Sequence, residues 1–239
     1  LQNNQVKDLA SLATMVPTAA LAADLAGEGL TGVRVVGRGV DTQLYDPARR
    51  SKALRQSWGV DSDGPACLYV GRVAAEKNLA LVKKTFAAIQ VWHPNAKMIW
   101  VGDGPSAKQL AAEHPDHHFA GMRTGEDLAA HYASADLFLF PSLTETYGNV
   151  VAEAMASGLP VIAYRSAAAA ELIAQQKNGM VASPGDERGY VEGALWMLDE
   201  AERLGEMAEA ARQTMLPRSW AGVVETFENV AREAMATQP

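Results

Sequence analysis

From about residue 64 the chain alternates between short apolar runs and segments with helical periodicity, and this alternation limits the folds open to it. Four apolar runs have the length of buried strands and lie close to Gly or Pro: 66–70, 96–101, 136–140 and 159–164. Between them, segments such as 78–93 repeat apolar residues every three or four positions, as a helix with one buried face does. Alternating strands and helices form parallel sheets through right-handed crossovers, and continuous apolar strands are typical of sheets covered on both faces. The sequence therefore predicts an α/β fold with a doubly wound, Rossmann-like parallel sheet.

The two flanks of this region differ from it. Residues 1–45 end in a short strand pattern and a connection, which we interpret as the tail of an otherwise missing amino-terminal domain plus a linker. Residues 46–216 make up the predicted α/β domain. Residues 217–239 predict a terminal helix with Ser219 as N-cap and an apolar stripe that needs a partner surface. We expect this chain to be part of a longer protein.

Charge and composition exclude several classes of protein. The net charge of -7 argues against a nucleic-acid partner, since such proteins usually carry a basic face. No window approaches 18 consecutive apolar residues, so the sequence predicts no transmembrane segment in this chain. The single cysteine, Cys67, excludes an internal disulfide, fits a reducing compartment and lies in an apolar run where we expect it to be packed. We expect a cytoplasmic protein.

Polar residues follow the predicted strands, where open parallel sheets bind ligands. Gly71, Arg72 and Lys77 come after the first strand, just before a helix, and Met122 lies in the loop after "HFA". Each cation alone also fits a surface residue. Together with glycines and the amides of helix N-termini, however, two cations suit a phosphate or diphosphate.

Two carboxylates, Glu145 and Glu153, stand eight positions apart in "SLTETYGNVVAEAMASG" (142–158). A helix beginning near Asn149 would leave Glu145 in the loop and Glu153 on an early turn, so both acids could face one ligand. The structural alternatives for Glu153 are a capping box, which would need the poor N-cap residue Val150, and a place on a solvated helix face. Because its neighbours are Val, Ala and Met, we favour a ligand-binding role for Glu153.

Two further patterns suggest other sites. Gly102, Gly104 and Ala107 match a dinucleotide-binding fingerprint after a strand, but Pro105 interrupts the turn and the expected later acid would open a helix. In "HPDHH" (114–118) the adjacent histidines would face opposite sides of a strand and no Cys lies nearby. We expect neither a dinucleotide site nor a metal site.

Taken together, the loops resemble a known family. The segments "VGRVAAEKN", "VGDGP", "HFAG", "YASADLFLFPSLTETYGNVVAEAMASGLPVIA" and "NGMVASPGD" look like the donor-binding half of group 1 (family 4) retaining glycosyltransferases, which have the two-domain GT-B fold. The match runs in order over residues 33–186. The run "FLFPSLTETYGNV" is most similar to bacterial members likened to GDP-mannose-dependent mannosyltransferases, which favours mannose as the transferred hexose.

The resemblance implies a role for each site residue. Arg72 and Lys77, with Gly71 beside them, would hold the donor diphosphate; Glu153 would bond the ribose and Glu145 the transferred sugar. The backbone near Met122 would meet the base. The remaining implied donor contacts are amides, those of Gly148, Asn149 and Val150.

The resemblance also implies partners and leaves rivals open. The donor would be a GDP-sugar or UDP-sugar, with no cofactor and no metal, and the acceptor a lipid or glycan chosen by the missing amino-terminal domain. That domain could also place the protein at the inner face of the membrane, and without it this fragment could be inactive. The alternatives are a GT-B-fold sugar-nucleotide epimerase and a non-catalytic sugar-nucleotide-binding module. One departure is "AAAAELI" (167–173), where the family commonly has "GG" before its Glu-Leu/Ile.

Overall fold

The computed structural model describes residues 13–60, 64–143 and 147–236, which divide into two compact units. The smaller unit combines the described residues up to Gly39 with those from Pro217 onward. It contains two short parallel strands, an intervening helix and the last helix of the chain: β1 (Thr14–Val16), α1 (Ala19–Gly27), β2 (Val33–Val35) and α10 (Trp220–Ala236). The larger unit covers Val40–Leu216 and holds every candidate site residue that the structure describes.

The larger unit is built on a six-stranded sheet with the order β5-β4-β3-β6-β7-β8. All of its strand pairs are parallel. The strands are β3 (Ala66–Val70), β4 (Lys97–Val101), β5 (His118–Gly121), β6 (Leu137–Phe140), β7 (Val161–Tyr164) and β8 (Gly179–Ala182). The predicted Rossmann-like parallel sheet is confirmed.

Helices of the larger unit connect the strands and cover the sheet. They are α2 (Lys52–Ser57), α3 (Leu79–Trp92), α4 (Ala107–Glu113), α5 (Gly125–Ser134), α6 (Asn149–Ala156), α7 (Ala167–Leu172), α8 (Glu187–Leu198) and α9 (Ala201–Met215). In α3 the apolar face predicted from the sequence is buried: Leu79, Val82, Phe86 and Ile89.

The sheet separates two apolar cores, as strands that are apolar at every position require. Within β3, Leu68 packs into one core and Cys67 and Tyr69 into the other, because successive side chains of a strand point to opposite faces. Cys67 is fully buried, and burial raises the pKa of its thiol. The prediction that this cysteine serves packing is confirmed. Among the described residues, every helix is either too short or too polar to cross a bilayer.

The chain direction across the sheet reverses at β3, and this fixes where a ligand can bind. From β3 the chain builds outward through β4 to β5, then returns to place β6 on the other side of β3. In open α/β sheets the crevice beyond the carboxyl ends of such neighbouring strands is the usual ligand site. The loops that follow β3 and β6 therefore define the candidate site.

Candidate nucleotide-binding site

The loop after β3 carries Gly71, Arg72 and Lys77, and backbone contacts fix its course. The amide of Gly71 bonds the Val101 carbonyl at the end of β4, and the amide of Val73 bonds the Asp103 carbonyl, each at 3.0 Å. The hydroxyl of Tyr69 in β3 donates to the Arg72 carbonyl at 2.9 Å. The path of the loop is thus set by hydrogen bonds to its main chain, while the Arg72 side chain remains exposed.

The glycines of "GDGP" owe their identity to this packing. A Cβ on Gly102, which has φ +128°, would collide with the Gly71 carbonyl, and one on Gly104 would collide with the Val73 carbonyl. Backbone that approaches this closely tolerates glycine alone. The contacts explain the fingerprint-like spacing through loop-to-loop packing, without a dinucleotide.

The two cations of this loop differ in their surroundings. The Arg72 side chain is 64% exposed and pairs with Glu76 at 3.1 Å. Lys77 is half-buried at the end of a 3-10 turn, Ala75–Lys77, just before α3. Next to it Asn78, which has φ 55°, donates from its side-chain amide to the Pro141 carbonyl after β6 at 3.4 Å. The structure therefore joins the loops after β3 and β6.

On the β6 side the site is formed by the start of α6. Its N-cap is Gly148 with φ 87°, and Asn149 and Val150 are its first helical residues. The amides of a first helical turn lack intrahelical partners and carry a partial positive charge, which favours an anion. With Gly148 as N-cap, Val150 does not cap the helix, so the capping-box alternative for Glu153 is excluded.

Glu153 lies one turn into α6, half-buried, and is bonded by two tyrosines. The hydroxyl of Tyr132 in α5 donates to its Oε2 at 3.0 Å, and the hydroxyl of Tyr45 donates to the same carboxyl group. Burial raises the pKa of Glu153 above its ordinary value of 4.5, and the two hydrogen bonds oppose that rise. These tyrosines explain how an acid persists among apolar neighbours.

Sequence reasoning did not identify either tyrosine. Tyr132 looks like one more apolar residue of α5, and Tyr45 lies in a segment that we interpreted as a linker. In the structure Arg212 of α9 fixes that segment: its guanidinium donates to the Tyr45 and Ala156 carbonyls, each at 2.7 Å, and pairs with Asp46 at 2.6 Å. The available signal in the sequence is Arg212, a cation that follows the apolar face of α9. The sequence does not show which loop the Arg212 side chain would contact.

The remaining predicted residues occupy separate positions. Met122 directly follows β5 and is 69% exposed. Glu145 lies outside the described residues. In the sheet β4 lies between β5 and β3. Counted in strands, Met122 is therefore farther from the β3–β6 crevice than Arg72 and Glu153 are.

The segment that departs from the family pattern contains a strained residue. Ala167, the first residue of α7, has φ 45°, a region that favours glycine. The following amide, of Ala168, bonds the Tyr147 carbonyl at 2.8 Å, just ahead of the N-cap of α6. A glycine would adopt this conformation without strain, which gives a physical reason for the glycines common in the family here.

The histidine cluster is better explained by packing than by a metal. Ligand atoms of His114, Asp116 and His117 lie within 4.8 Å of one another. However, the rings of His114 and His117 are stacked on each other, with centroids 4.6 Å apart and planes 11° apart. In addition, His117 Nδ1 accepts the Trp100 indole N–H at 3.1 Å, and burial lowers the pKa of His117 to about 4.

Comparison with known proteins decides the family. Residues 64–200 match the family model described as Glycosyl transferases group 1, which is more than half of the 239 residues. The chain is a group 1 glycosyltransferase sequence. It is 34% identical over 208 residues to a GDP-mannose-dependent alpha-mannosyltransferase of Corynebacterium glutamicum, covering 87% of this chain and 49% of the relative.

Solved structures share the fold of this chain. Sucrose-phosphate synthase from Thermosynechococcus elongatus aligns with a TM-score of 0.79 at 22% identity, over 94% of this chain and 58% of that one. Anabaena HepE in complex with UDP and glucose aligns with a TM-score of 0.72 at 22% identity, over 95% and 64%. The larger unit is thus a Rossmann-like half of a GT-B fold, and the chain spans about half the length of the curated relatives it matches.

Proposed function

We propose that the larger unit binds the nucleoside-diphosphate sugar of a retaining hexosyltransferase, which transfers the sugar to a lipid or glycan acceptor. The observation that carries this proposal is the pairing of two different chemistries at one switch point. Arg72 and Lys77 follow β3, while Glu153 and the first amides of α6 follow its neighbour β6. Cations and amides suit a diphosphate, and a carboxylate suits the hydroxyls of a ribose.

In this arrangement the cations serve the leaving group. When the glycosidic bond to the diphosphate breaks, the sugar becomes positive and the diphosphate gains negative charge. Arg72, Lys77 and the α6 amides, set before the reaction begins, would stabilise that charge more than they stabilise the bound donor. A guanidinium and an ammonium supply positive charge of the kind that a divalent cation supplies in other transferases.

The acids and the remaining backbone would orient the donor. Glu153 would accept hydrogen bonds from the ribose and Glu145 from the transferred sugar. The amides of Gly148, Asn149 and Val150 would meet the sugar or the distal phosphate, and the backbone at Met122 the base. Retention of configuration would follow if the acceptor attacks the face from which the diphosphate departs, so that the acceptor oxygen loses its proton to the leaving diphosphate.

The identity of the donor rests on the relatives. The Corynebacterium glutamicum relative is named for GDP-mannose, whereas HepE was solved with UDP and glucose. Because the sequence relative is the more similar of the two, we propose GDP-mannose as donor and a UDP-sugar as the second candidate.

The rest of the enzyme would complete the site. No residue of α10 is buried within the described part of the chain, and Trp220, Val224 and Phe227 of its apolar stripe are more than half exposed. We propose that this stripe packs against an amino-terminal domain that binds the acceptor. Transfer would then require both domains, while donor binding would require the larger unit alone.

Calorimetric titration of the chain with GDP, UDP and ADP tests the proposal. We expect GDP to bind most tightly and ADP most weakly, with the same order for the corresponding nucleotide sugars. A full-length form would then transfer mannose from GDP-mannose to a lipid or glycan extract, with the product anomer read by NMR. Failure of all three nucleotides to bind would refute the nucleotide site, and an inverted product would refute the retaining mechanism.

A further inference from the structure

Side chains from three segments meet at the carboxyl group of Glu153. Tyr45 comes from the segment before α2, Tyr132 from α5 and Glu153 from α6. Both phenol hydroxyls donate to the Glu153 carboxylate, and the two rings contact each other edge to face at 5.7 Å. The cluster is a built feature of the core, since Tyr132 is fully buried and Tyr45 is 9% exposed.

We infer that Tyr45 and Tyr132 are positioning residues, which hold the Glu153 carboxylate oriented and ionised so that it can accept the ribose hydroxyls of the donor. This inference rests on the proposed function and adds to it. It assigns the nucleotide's sugar ring to a preformed acceptor whose geometry depends on two phenols that do not themselves touch the ligand.

The capacity of a carboxylate permits this double use. Its two oxygens offer about four acceptor positions, of which the tyrosines occupy two. The free positions match the two neighbouring hydroxyls of a ribose in number and in kind. Glu153 is half-buried, so the residue is not fully enclosed by the core.

Electrostatics shows why an acid at this position needs such partners. Burial disfavours the charged form of Glu153, and the hydroxyls of Tyr132 and Tyr45 counteract burial by bonding to that form. Burial and the Glu153 charge raise the pKa of Tyr45, and Asp41 on the same segment adds to that rise. Arg212, which pairs with Asp46, donates to the Tyr45 carbonyl and holds its backbone. Removing a hydroxyl would therefore shift Glu153 towards its neutral form, which donates where the ribose requires an acceptor.

The competing explanation is purely structural, with Glu153 present only to satisfy two buried hydroxyls. Both explanations predict some loss of stability when a hydroxyl is removed. They differ in the ligand response, since a structural role gives no preference between ribose and deoxyribose. A phenylalanine keeps the ring packing and removes only the hydroxyl, so it separates the two.

The experiment compares Tyr45→Phe and Tyr132→Phe with Tyr190→Phe in the full chain. Tyr190 is the matched control, because it is fully buried in the opposite core and its hydroxyl bonds the Ile162 carbonyl at 3.0 Å. Calorimetry with GDP and with 2′,3′-dideoxy-GDP measures the contribution of the ribose hydroxyls. We expect each of the first two variants to weaken GDP about fivefold, with dideoxy-GDP unchanged, and the control to change neither.

A second measurement needs no ligand. NMR of carboxyl-labelled Glu residues in the unliganded chain should show a higher pKa for Glu153 in Tyr45→Phe and Tyr132→Phe, and no change in Tyr190→Phe. Thermal unfolding identifies any variant that fails to fold, and Tyr45→Phe, at the less buried position, then carries the test.

The possible outcomes separate the inference from the proposed function. Equal weakening of GDP and dideoxy-GDP, or an unchanged Glu153 pKa, would overturn the positioning role even if GDP binds well. If the parent chain binds GDP without preferring ribose, Glu153 is no ribose acceptor and the inference falls while the diphosphate site stands. If the parent binds no nucleotide at all, the proposed function falls and takes the inference with it.

Discussion

The two sides of the candidate site are built differently. On the α6 side, Glu153 is half-buried and receives hydrogen bonds from Tyr45 and Tyr132 before any ligand arrives. On the β3 side, Arg72 is 64% exposed and its described ion pair is with Glu76, four residues along the same loop. On the α6 side the charged group itself is held in position. On the β3 side only the backbone is held, and the charged Arg72 side chain can move.

This difference indicates how a nucleotide sugar would be recognised. A preformed acceptor costs little entropy on binding and rejects ligands that cannot donate to it, which suits the ribose. A movable guanidinium loses rotamer freedom when it closes on a diphosphate, but its charge attracts the anion from a distance and can follow the leaving group. The α6 side would therefore set specificity, and the β3 side most of the affinity.

Removing both cations should have the largest effect. We expect Arg72→Ala combined with Lys77→Ala to weaken GDP about 100-fold or more, since each deleted group removes a charge-assisted hydrogen bond to the diphosphate. Guanosine, which lacks phosphate, should bind as before. Isothermal titration of both ligands measures the difference.

Lys84→Ala is the control for this experiment. Lys84 lies on α3, is 58% exposed and pairs with Glu187 at 2.8 Å, so it is a cation outside the β3 loop. A variant that lacks both cations but binds GDP normally would show that the β3 loop does not hold the diphosphate.

Glu153→Gln should weaken binding less than the double variant does, and it should not lower the stability of the fold. We expect GDP and guanosine to weaken alike, by about tenfold, because the carboxylate would contact the ribose that both contain. Burial raises the folded pKa of Glu153 above 4.5, so its contribution to stability is present below pH 4.5 and is lost as the pH rises through the folded value. Above the folded pKa the parent carries a half-buried charge that the variant lacks.

Thermal unfolding between pH 4.5 and 8 tests the stability half of this prediction. The amide oxygen of the introduced glutamine can accept from one tyrosine and its NH₂ can donate to the other, so the core contacts survive. We expect a melting temperature at pH 7 equal to or above that of the parent, with the difference narrowing towards pH 4.5. A variant that melts lower at pH 7 and also binds normally would identify Glu153 as a structural residue.

The fold was more predictable than the site, for physical reasons. Strand and helix periodicities are local properties, so the runs that became β3, β4, β6 and β7 and the buried face of α3 could be read directly from the chain. The start of α6 was also predictable, because Gly148 is a poor residue inside a helix. These features depend on neighbours in sequence.

The partners of Glu153 depend on neighbours in space. A carboxylate among Val, Ala and Met signals that something must bond it, but no local pattern shows that the bonds come from residues 108 and 21 positions earlier, counted from 153 to 45 and to 132. Likewise, Gly102 and Gly104 gave a dinucleotide-like spacing whose cause, contact with the Gly71 and Val73 carbonyls, requires two loops to be placed side by side. The sequence therefore shows which residues need a contact partner, but not which residues provide it.

The smallest expected effect comes from Glu76→Gln, which tests whether the Arg72 side chain is free to move before the ligand binds. In the unliganded chain Glu76 pairs with Arg72 and adds negative charge beside it, so a diphosphate would have to displace Glu76 from Arg72. Because an exposed pair of this kind contributes little to stability, we expect unchanged unfolding and GDP affinity raised about two- to threefold, with the gain shrinking as salt is added.

Glu192→Gln is the matched control for Glu76→Gln, since Glu192 forms the same i,i+4 type of pair with Arg188 on α8 and should leave GDP affinity unchanged. The opposite result would also be informative: if Glu76→Gln weakens GDP, then Glu76 holds Arg72 where the diphosphate needs it. The cation side would in that case be preformed like the acid side, and recognition of the donor would rest on two fixed anchors instead of one.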